Sequence, residues 1–171
     1  ERFVEQLNFQ AKLDGMFGSH FVTPDGIHDE THYISIPDMI IIARKALADP
    51  IISKYIGTTS LDIPLDEERT LNLRNTNRLL HADSDYYCPY AFGMKTGFTN
   101  AAGNCLLSVF QVEDQTLLIG VFGCPDQYDR YADILKLFTD VYDLEIPAPD
   151  PLPEETTPEG ETIAEEPAPT E

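Results

Sequence analysis

Apolar residues at the start of the chain recur with the spacing of an amphipathic helix. Phe3, Val4, Leu7 and Ala11 stand one to four positions apart in a pattern that brings them to one helical face. Gly15 follows, and glycine readily adopts the left-handed conformation that ends many helices. The pattern therefore predicts a first helix that ends near Gly15.

A second helix is predicted to begin after Ser35. The Ser35 hydroxyl can cap the first turn, Pro37 suits that turn, and Asp38 stands three residues after the cap, as in a capping box. Apolar residues continue at helical spacing, and the helix is expected to stop before Pro50. A short helical piece is expected at 51–55.

The rest of the chain alternates between strand-like runs, rich in β-branched and aromatic residues, and turn sequences. The runs 106–110 and 117–122 are almost continuously apolar, which is typical of central strands covered on both faces. Together these patterns predict an α+β fold, with an antiparallel sheet of about five strands and helices packed on it. Strands are expected at 58–63, 69–74, 94–98, 105–112 and 116–122, and a last helix from about Gln127 to Tyr142.

Charge is unevenly distributed along the chain. Its 171 residues include 30 acidic and 11 basic side chains, for a net charge of −19 at pH 7. This acidity argues against a nucleic-acid partner, because phosphates would be repelled. Residues 145–171 hold nine acids, seven prolines and no Lys or Arg, a composition that cannot bury enough apolar surface to fold. We therefore expect a folded region at 1–144 and a disordered acidic tail at 145–171, which is either an extended linker or an end with no role.

The triplet Lys95-Thr96-Gly97 carries the most informative chemistry. It lies between a small, apolar run (90–94) and a Gly/Ala/Asn segment that leads into a hairpin, which predicts an edge strand. An extended peptide can pair with the free backbone groups of such a strand. The lysine supplies a cation for a developing oxyanion or an anionic substrate, the threonine hydroxyl can donate to a carboxylate, and the glycine allows close approach.

Lys-Thr-Gly is one of three short motifs of the penicillin-recognising serine acyl-transfer enzymes, and the other two, Ser-x-x-Lys and Ser-x-Asn, are absent here. The chain nevertheless resembles the D-alanyl-D-alanine carboxypeptidases, which are low-molecular-mass penicillin-binding proteins. The resemblance implies the transpeptidase fold that these proteins share with β-lactamases, incomplete in this chain. The matching segments, in family order, are 19–33, 38–47, 75–80 and 93–103, followed by 123–125 and 130–133.

The resemblance also implies a set of substrate-binding residues. Lys95 would bind substrate and complete the site, and Thr96, Gly97 and Phe98 would line the docking strand. Arg130 stands where family members place an arginine that helps to hold the terminal carboxylate of the substrate, although a solvated helix residue is the alternative. No catalytic nucleophile lies in this chain, and no metal or other cofactor is implied.

The activity implied is serine-type removal of the terminal D-alanine from peptidoglycan stem peptides through an acyl-enzyme. Stem peptides ending in D-Ala-D-Ala and β-lactam antibiotics are the implied partners. The alternatives are a β-lactamase-like hydrolase and a non-catalytic module that binds cell-wall peptides. The parent protein is expected to be exported to the cell envelope, with membrane association through segments outside this chain. Because the chain opens inside a helical pattern, we expect an N-terminally truncated fragment that is inactive alone, with the serine encoded upstream.

Two further groups of residues leave alternatives open. His28 and His32 stand four apart, a spacing that binds metal on a helix, but the surrounding segment lacks helical periodicity, so a loop is favoured. Cys105 and Cys124 become cross-strand neighbours if the hairpin turns near Asp114. A disulfide between them is then an alternative to two buried free thiols, which we favour.

Overall fold

The computed structural model describes residues 2–147, and over this range the chain forms four α-helices, five β-strands and one 3₁₀ turn. No helix within this range is long and apolar enough to cross a membrane. Of the tail expected from residue 145, residues 148–171 lie outside the described residues. In chain order the elements are α1 (Arg2–Leu13), α2 (Ile36–Ala48), α3 (Pro50–Ile56), β1 (Ser60–Pro64), β2 (Thr70–Arg74), the 3₁₀ turn (Arg78–Leu80), β3 (Ala91–Thr99), β4 (Gly103–Val112), β5 (Gln115–Cys124) and α4 (Asp129–Tyr142).

The α+β class and the antiparallel pairing are confirmed, but the five strands lie in two sheets rather than in one. Strands β1 and β2 form a separate hairpin, while β3, β4 and β5 form a three-stranded sheet in that order. Both strands of the hairpin are exposed along their whole length, and Asn72 donates across it to Asp62 at 2.7 Å. The two sheets are separate because β1 and β2 pair only with each other among the described residues.

Strand β4 is central and buried on both faces, as its apolar run predicts. Its Leu106 and Phe110 face α4, and its Val109 packs with Ala43 of α2. The same prediction for 117–122 is wrong within residues 2–147, because β5 lies at the edge of its sheet and Phe122 is 40% exposed.

The main core lies between the three-stranded sheet and α4. Phe110 of β4 and Phe138 of α4 stack with ring centroids 4.4 Å apart, and full burial of such a side chain contributes about 1.5–3 kcal/mol. The buried residues of α4, Tyr131, Ile134 and Phe138, recur at intervals of three and four, so one helical face covers the sheet. This packing holds the N-terminal end of α4 close to the segment that precedes β3.

The N-terminus of α2 shows how the structure completes a local pattern. The Ser35 hydroxyl accepts from the Asp38 N–H at 3.3 Å, so the predicted cap is confirmed. The Asp38 carboxylate does not complete a capping box. It accepts instead from the Gly18 N–H at 2.8 Å and from the Ser19 hydroxyl at 2.6 Å, which fastens the preceding loop to the helix.

Candidate active site

Strand β3 has one free edge among the described residues, as the sequence predicts. It pairs with β4 in a register that sets Lys95 opposite Leu107 and Thr96 opposite Leu106, and no other strand flanks it. The Lys95 side chain is exposed, and its Nζ donates to the Thr96 carbonyl at 2.7 Å. The ammonium group therefore lies against its own strand, beside the threonine.

The Thr96 hydroxyl has a partner that the sequence analysis did not single out. Its Oγ1 lies 2.7 Å from Oγ1 of Thr76, a residue of the loop between β2 and the 3₁₀ turn. The two hydroxyls form a polar pair at the free edge of β3, next to the Lys95 ammonium. Thr76 lies between Asn75 and Asn77, and two loop-fixing asparagines around a hydroxyl residue are the one signal that could have indicated it.

The asparagines on either side fix this loop through hydrogen bonds to neighbouring backbone groups. Asn77 is fully buried, and its Nδ2 donates to the Gly93 carbonyl at 3.2 Å and to the Ser108 hydroxyl at 3.4 Å. Asn75 donates to the carbonyl groups of Ile56 and Thr58 at 3.2 and 3.1 Å. The loop is thus attached both to β3 and to the segment that leads into β1.

A bulge at the start of β3 brings Gly93, two residues before Lys95, against the end of α3. The register shifts between Ala91 and Gly93, where φ of Gly93 is +148° and φ of Met94 is +85°. A Cβ on Gly93 would lie 2.4 Å from the Ile56 carbonyl oxygen, so only glycine permits this approach. Met94 is buried against Ala43 in this strained conformation. The residue before the lysine is therefore held firmly.

The second half of the candidate docking strand is open. Gly97 stands opposite Cys105, and a Cβ added to it would make an ordinary contact with the Cys105 Cβ at 3.8 Å. Phe98 is 62% exposed and stands opposite Asn104. Gly97 is thus not required for packing within the described residues, in contrast to Gly93.

Arg130, the second residue of α4, reaches the strand only indirectly. Its guanidinium carbon lies 5.0 Å from the centroid of the Tyr131 ring, and its buried Nε has no hydrogen-bond partner within residues 2–147. No hydrogen bond joins it to Lys95 or Thr96 in this part of the chain. The Tyr131 hydroxyl, however, donates to the Thr76 carbonyl at 3.0 Å, so one side chain connects the arginine to the backbone of Thr76.

Two clefts meet at the Thr76 loop. An apolar cleft of about 580 Å³ lies between α3, the β1–β2 hairpin and the start of β3, and Lys95 and Thr76 are on its wall. A polar cleft of about 460 Å³ continues past Thr76. There Arg74 binds Asp83 through two hydrogen bonds of 2.5 and 2.7 Å, and this guanidinium lowers the pKa of the carboxyl group. The residues of the polar cleft are Arg74, Asn75, Thr76, Arg78, His81, Asp83, Ser84 and Asp85.

The remaining candidates lie apart from the lysine. His28 and His32 are in a loop, as favoured, and no group of three potential metal ligands forms within the described residues. All three cysteines are free, so no bridge joins Cys105 to Cys124. Of these two thiols only Cys124 is buried, so the expectation of two buried thiols is wrong for Cys105. The Cys124 thiol lies 3.8 Å from the Asp133 carboxylate on α4, and burial, followed by this carboxylate, raises its pKa.

The chain is similar to a known protein family over most of its length. Residues 1–125 match the family described as D-alanyl-D-alanine carboxypeptidase, peptidase S11. The D-alanyl-D-alanine carboxypeptidase DacF of Bacillus subtilis (strain 168) is 32% identical over 137 residues, which are 80% of this chain and 34% of that protein. The chain therefore spans about a third of the length of this relative.

Solved structures show the same fold. The Streptomyces K15 DD-transpeptidase matches with a TM-score of 0.74 at 24% identity, covering 83% of this chain and 54% of that one. Penicillin-binding protein D2 from Listeria monocytogenes, in its cefotaxime-bound form, matches with a TM-score of 0.70 at 22% identity. The match covers 82% of this chain and 55% of that one. The transpeptidase fold implied by the sequence resemblance is thereby confirmed. With a family match over 125 of its 171 residues, the chain belongs to the D-alanyl-D-alanine carboxypeptidase family, peptidase S11.

Proposed function

We propose that the full-length protein carrying this chain is a serine-type D-Ala-D-Ala carboxypeptidase. It would remove the terminal D-alanine from peptidoglycan stem peptides, and this chain would supply the strand that docks the peptide. The observation that carries the proposal is the free edge of β3, where the Lys95 ammonium lies beside the paired hydroxyls of Thr96 and Thr76. A cation and hydroxyl donors at an open strand edge suit an extended peptide that ends in a carboxylate.

Each proposed binding residue has a distinct task. The Lys95 ammonium stabilises negative charge at the reacting carbonyl, and the Thr96 hydroxyl donates to the terminal carboxylate. The backbone groups of Gly97 and Phe98 pair with the peptide. Gly97 has no side chain to obstruct the approach, and Phe98 is mostly exposed. Arg130 adds a second cation for the carboxylate, since a guanidinium can bind both of its oxygens.

The attacking oxygen is not among these 171 residues, because no serine is followed by Lys at the third position. In the proposed reaction a serine elsewhere in the protein attacks the carbonyl carbon of the D-Ala-D-Ala bond. The C–N bond breaks, the terminal D-alanine leaves with a proton on its amine, and water then hydrolyses the ester. The substrate lies outside the cytoplasmic membrane, so the protein would act in the cell envelope.

β-Lactams are proposed as ligands of the same site. The Listeria relative of this fold is a penicillin-binding protein solved with cefotaxime, and a β-lactam presents a carboxylate next to a reactive carbonyl. Covalent labelling by a fluorescent penicillin would then occur on the full-length protein. The 171-residue chain alone would retain no label, because it lacks the nucleophile motif.

The test compares Lys95→Ala with Lys12→Ala in the full-length protein. Lys12 is an exposed residue of α1 and serves as the matched control. We expect Lys95→Ala to lower kcat/KM for a peptide ending in D-Ala-D-Ala by about 10²–10³-fold, the usual cost of removing one group that stabilises an oxyanion. Lys12→Ala should retain the wild-type rate.

Three results would argue against the proposal. Unchanged turnover in Lys95→Ala would remove Lys95 from the site. Faster turnover of penicillin than of the peptide would indicate a β-lactamase-like hydrolase. Peptide binding without hydrolysis or labelling by the wild-type protein would indicate a non-catalytic cell-wall binding module.

A further inference from the structure

Tyr131 joins α4 to the loop that carries Thr76. The side chain is buried, with 1% exposure, and its hydroxyl donates to the Thr76 carbonyl at 3.0 Å. The same hydroxyl accepts from the Arg78 N–H at 3.5 Å. One tyrosine oxygen thus holds the backbone on both sides of Asn77, whose own side chain is fixed to the Gly93 carbonyl.

This attachment determines where the Thr76 side chain points. Thr76 is itself exposed and, within residues 2–147, belongs to neither core cluster, yet its hydroxyl lies 2.7 Å from that of Thr96. Asn77 fixes the loop from the side of the sheet, and Tyr131 fixes it from the side of α4. If the Tyr131 hydroxyl is removed, the Thr76 carbonyl loses its donor, and the Thr76–Thr96 pair loses one of its two supports.

The ring of Tyr131 also supports Arg130. The guanidinium carbon lies 5.0 Å from the ring centroid, a favourable cation–π distance. Tyr86 stacks on the same ring, with centroids 5.1 Å apart and planes 28° apart. The Tyr131 ring therefore contacts both a second aromatic ring and the arginine, which limits the rotamers open to the arginine and to Tyr131 itself.

We propose that Tyr131 is a positioning residue for carboxylate recognition, which it performs by orienting the Thr76–Thr96 hydroxyl pair and the Arg130 guanidinium together. This inference rests on the proposed function and adds to it a residue that does not touch substrate. The terminal carboxylate of the peptide would meet a hydroxyl pair and a cation whose relative placement is set by one side chain of α4. Loss of the Tyr131 hydroxyl then weakens recognition of the carboxylate more than it slows the chemical step.

The experiment measures the preference of the full-length protein for a peptide ending in D-Ala-D-Ala over the same peptide with a C-terminal amide. Tyr131→Phe keeps the ring and removes the hydroxyl. Its matched control is Tyr86→Phe, because the Tyr86 hydroxyl makes no hydrogen bond within residues 2–147 and its ring belongs to the same stack. We expect Tyr131→Phe to reduce the preference about five- to tenfold, mainly through KM, as one lost hydrogen bond would. Tyr86→Phe should leave the preference unchanged.

A second variant separates positioning from a general effect on stability. Thr76→Val removes an exposed hydroxyl and should fold normally, so it gives a result even if Tyr131→Phe is poorly folded. We expect it to reduce the same preference by a similar factor. The double variant should lose little more than either single one, because both act on one hydroxyl pair.

The inference is overturned if Tyr131→Phe folds and keeps the wild-type preference for the carboxylate peptide. It is overturned as well if the reductions in this preference caused by Tyr131→Phe and Thr76→Val multiply in the double variant. It is also overturned if Thr76→Val keeps the wild-type preference. A wild-type protein that hydrolyses neither peptide would instead contradict the proposed function, so the two failures can be told apart.

Discussion

Single buried polar side chains set the geometry around Lys95. Asn77 is the clearest example, because its amide links the Thr76 loop to the Gly93 carbonyl of β3 and to the Ser108 hydroxyl of β4. Its Oδ1 also accepts from the Leu79 N–H at 3.2 Å, which caps the 3₁₀ turn. A buried amide with all these partners stabilises one loop position, because any other position would leave polar groups unpaired.

We predict that Asn77→Ala lowers the free energy of unfolding by about 2–4 kcal/mol, because the Gly93 carbonyl and Leu79 N–H lose a partner in the interior. Asn72→Ala is the matched control. Asn72 is an exposed strand residue whose side chain, within residues 2–147, hydrogen-bonds only to Asp62, and its loss should cost less than about 0.5 kcal/mol. Urea unfolding of the two variants measures both values. Equal values would show that Asn77 does not hold the loop.

Strand β3 combines a tightly packed start with an open end. At Gly93 the backbone has positive φ and lies against the Ile56 carbonyl, whereas at Gly97 a side chain would have room. The two glycines are four residues apart and serve different purposes. The first allows the strand to approach α3, and the second, in the proposed function, allows a substrate to approach the strand.

We predict opposite outcomes for alanine at these two positions. Gly93→Ala places a Cβ 2.4 Å from a backbone oxygen and should destabilise the fold by about 2–4 kcal/mol. Gly97→Ala should change the free energy of unfolding by less than about 1 kcal/mol, since a Cβ has room there and glycine and alanine differ by no more than this in a strand. In the full-length protein it should nevertheless slow covalent labelling by penicillin about tenfold or more. Thermal unfolding and fluorescent-penicillin labelling measure these effects. Normal labelling of Gly97→Ala would count against docking along this strand.

At the scale of the whole molecule, ion pairs connect separate elements of the chain. Asp14, after α1, binds Lys45 of α2, and Arg74 of β2 binds Asp83 in the loop beyond the 3₁₀ turn. In each pair the basic side chain lowers the pKa of the carboxyl group. All four side chains are at least partly exposed, so each pair adds modestly to stability and favours one placement of its elements.

The Arg74–Asp83 pair makes the free energy of unfolding depend on pH, and the lowered pKa of Asp83 determines the direction of this dependence. In the folded state the pKa of Asp83 is below its ordinary value of 3.8. The pair therefore stabilises the fold fully at pH values above 3.8. The stabilisation is lost as the pH falls through the lowered pKa. We predict that wild type and Asp83→Asn differ in free energy of unfolding by a constant amount between about pH 5 and 7, and that the difference shrinks below pH 3.8.

Denaturant titrations at several pH values test this prediction. Asp114→Asn is the control, because Asp114 is in the exposed β4–β5 turn and forms no ion pair within residues 2–147. The free energy of unfolding of Asp114→Asn, plotted against pH, should run parallel to that of wild type at all pH values. A difference for Asp83→Asn that persists unchanged at low pH would mean that the charge of Asp83 does not stabilise the fold.

Local patterns alone determined most of the secondary structure and the family. The Ser35 cap, the stop after α1 at Gly15 and the face of α4 follow from residues within one or two turns of each other, so their sequence signals are strong. The Lys-Thr-Gly strand was also predictable, because its motif and its flanking turns are contiguous. Its free edge is confirmed for the part of the chain that the structure describes, while the tasks of Lys95 to Phe98 and of Arg130 stay predictions.

Only the tertiary structure decided which distant groups meet. The Thr76–Thr96 pair joins residues 20 positions apart, and the Tyr131–Thr76 bond spans 55 positions. No periodicity signals such contacts, because each depends on how α4, the sheet and one loop pack together. The division of five strands into two sheets has the same origin. The hydrophobic pattern determines which face of a strand is buried, but which strand pairs with it depends on the arrangement of the whole core.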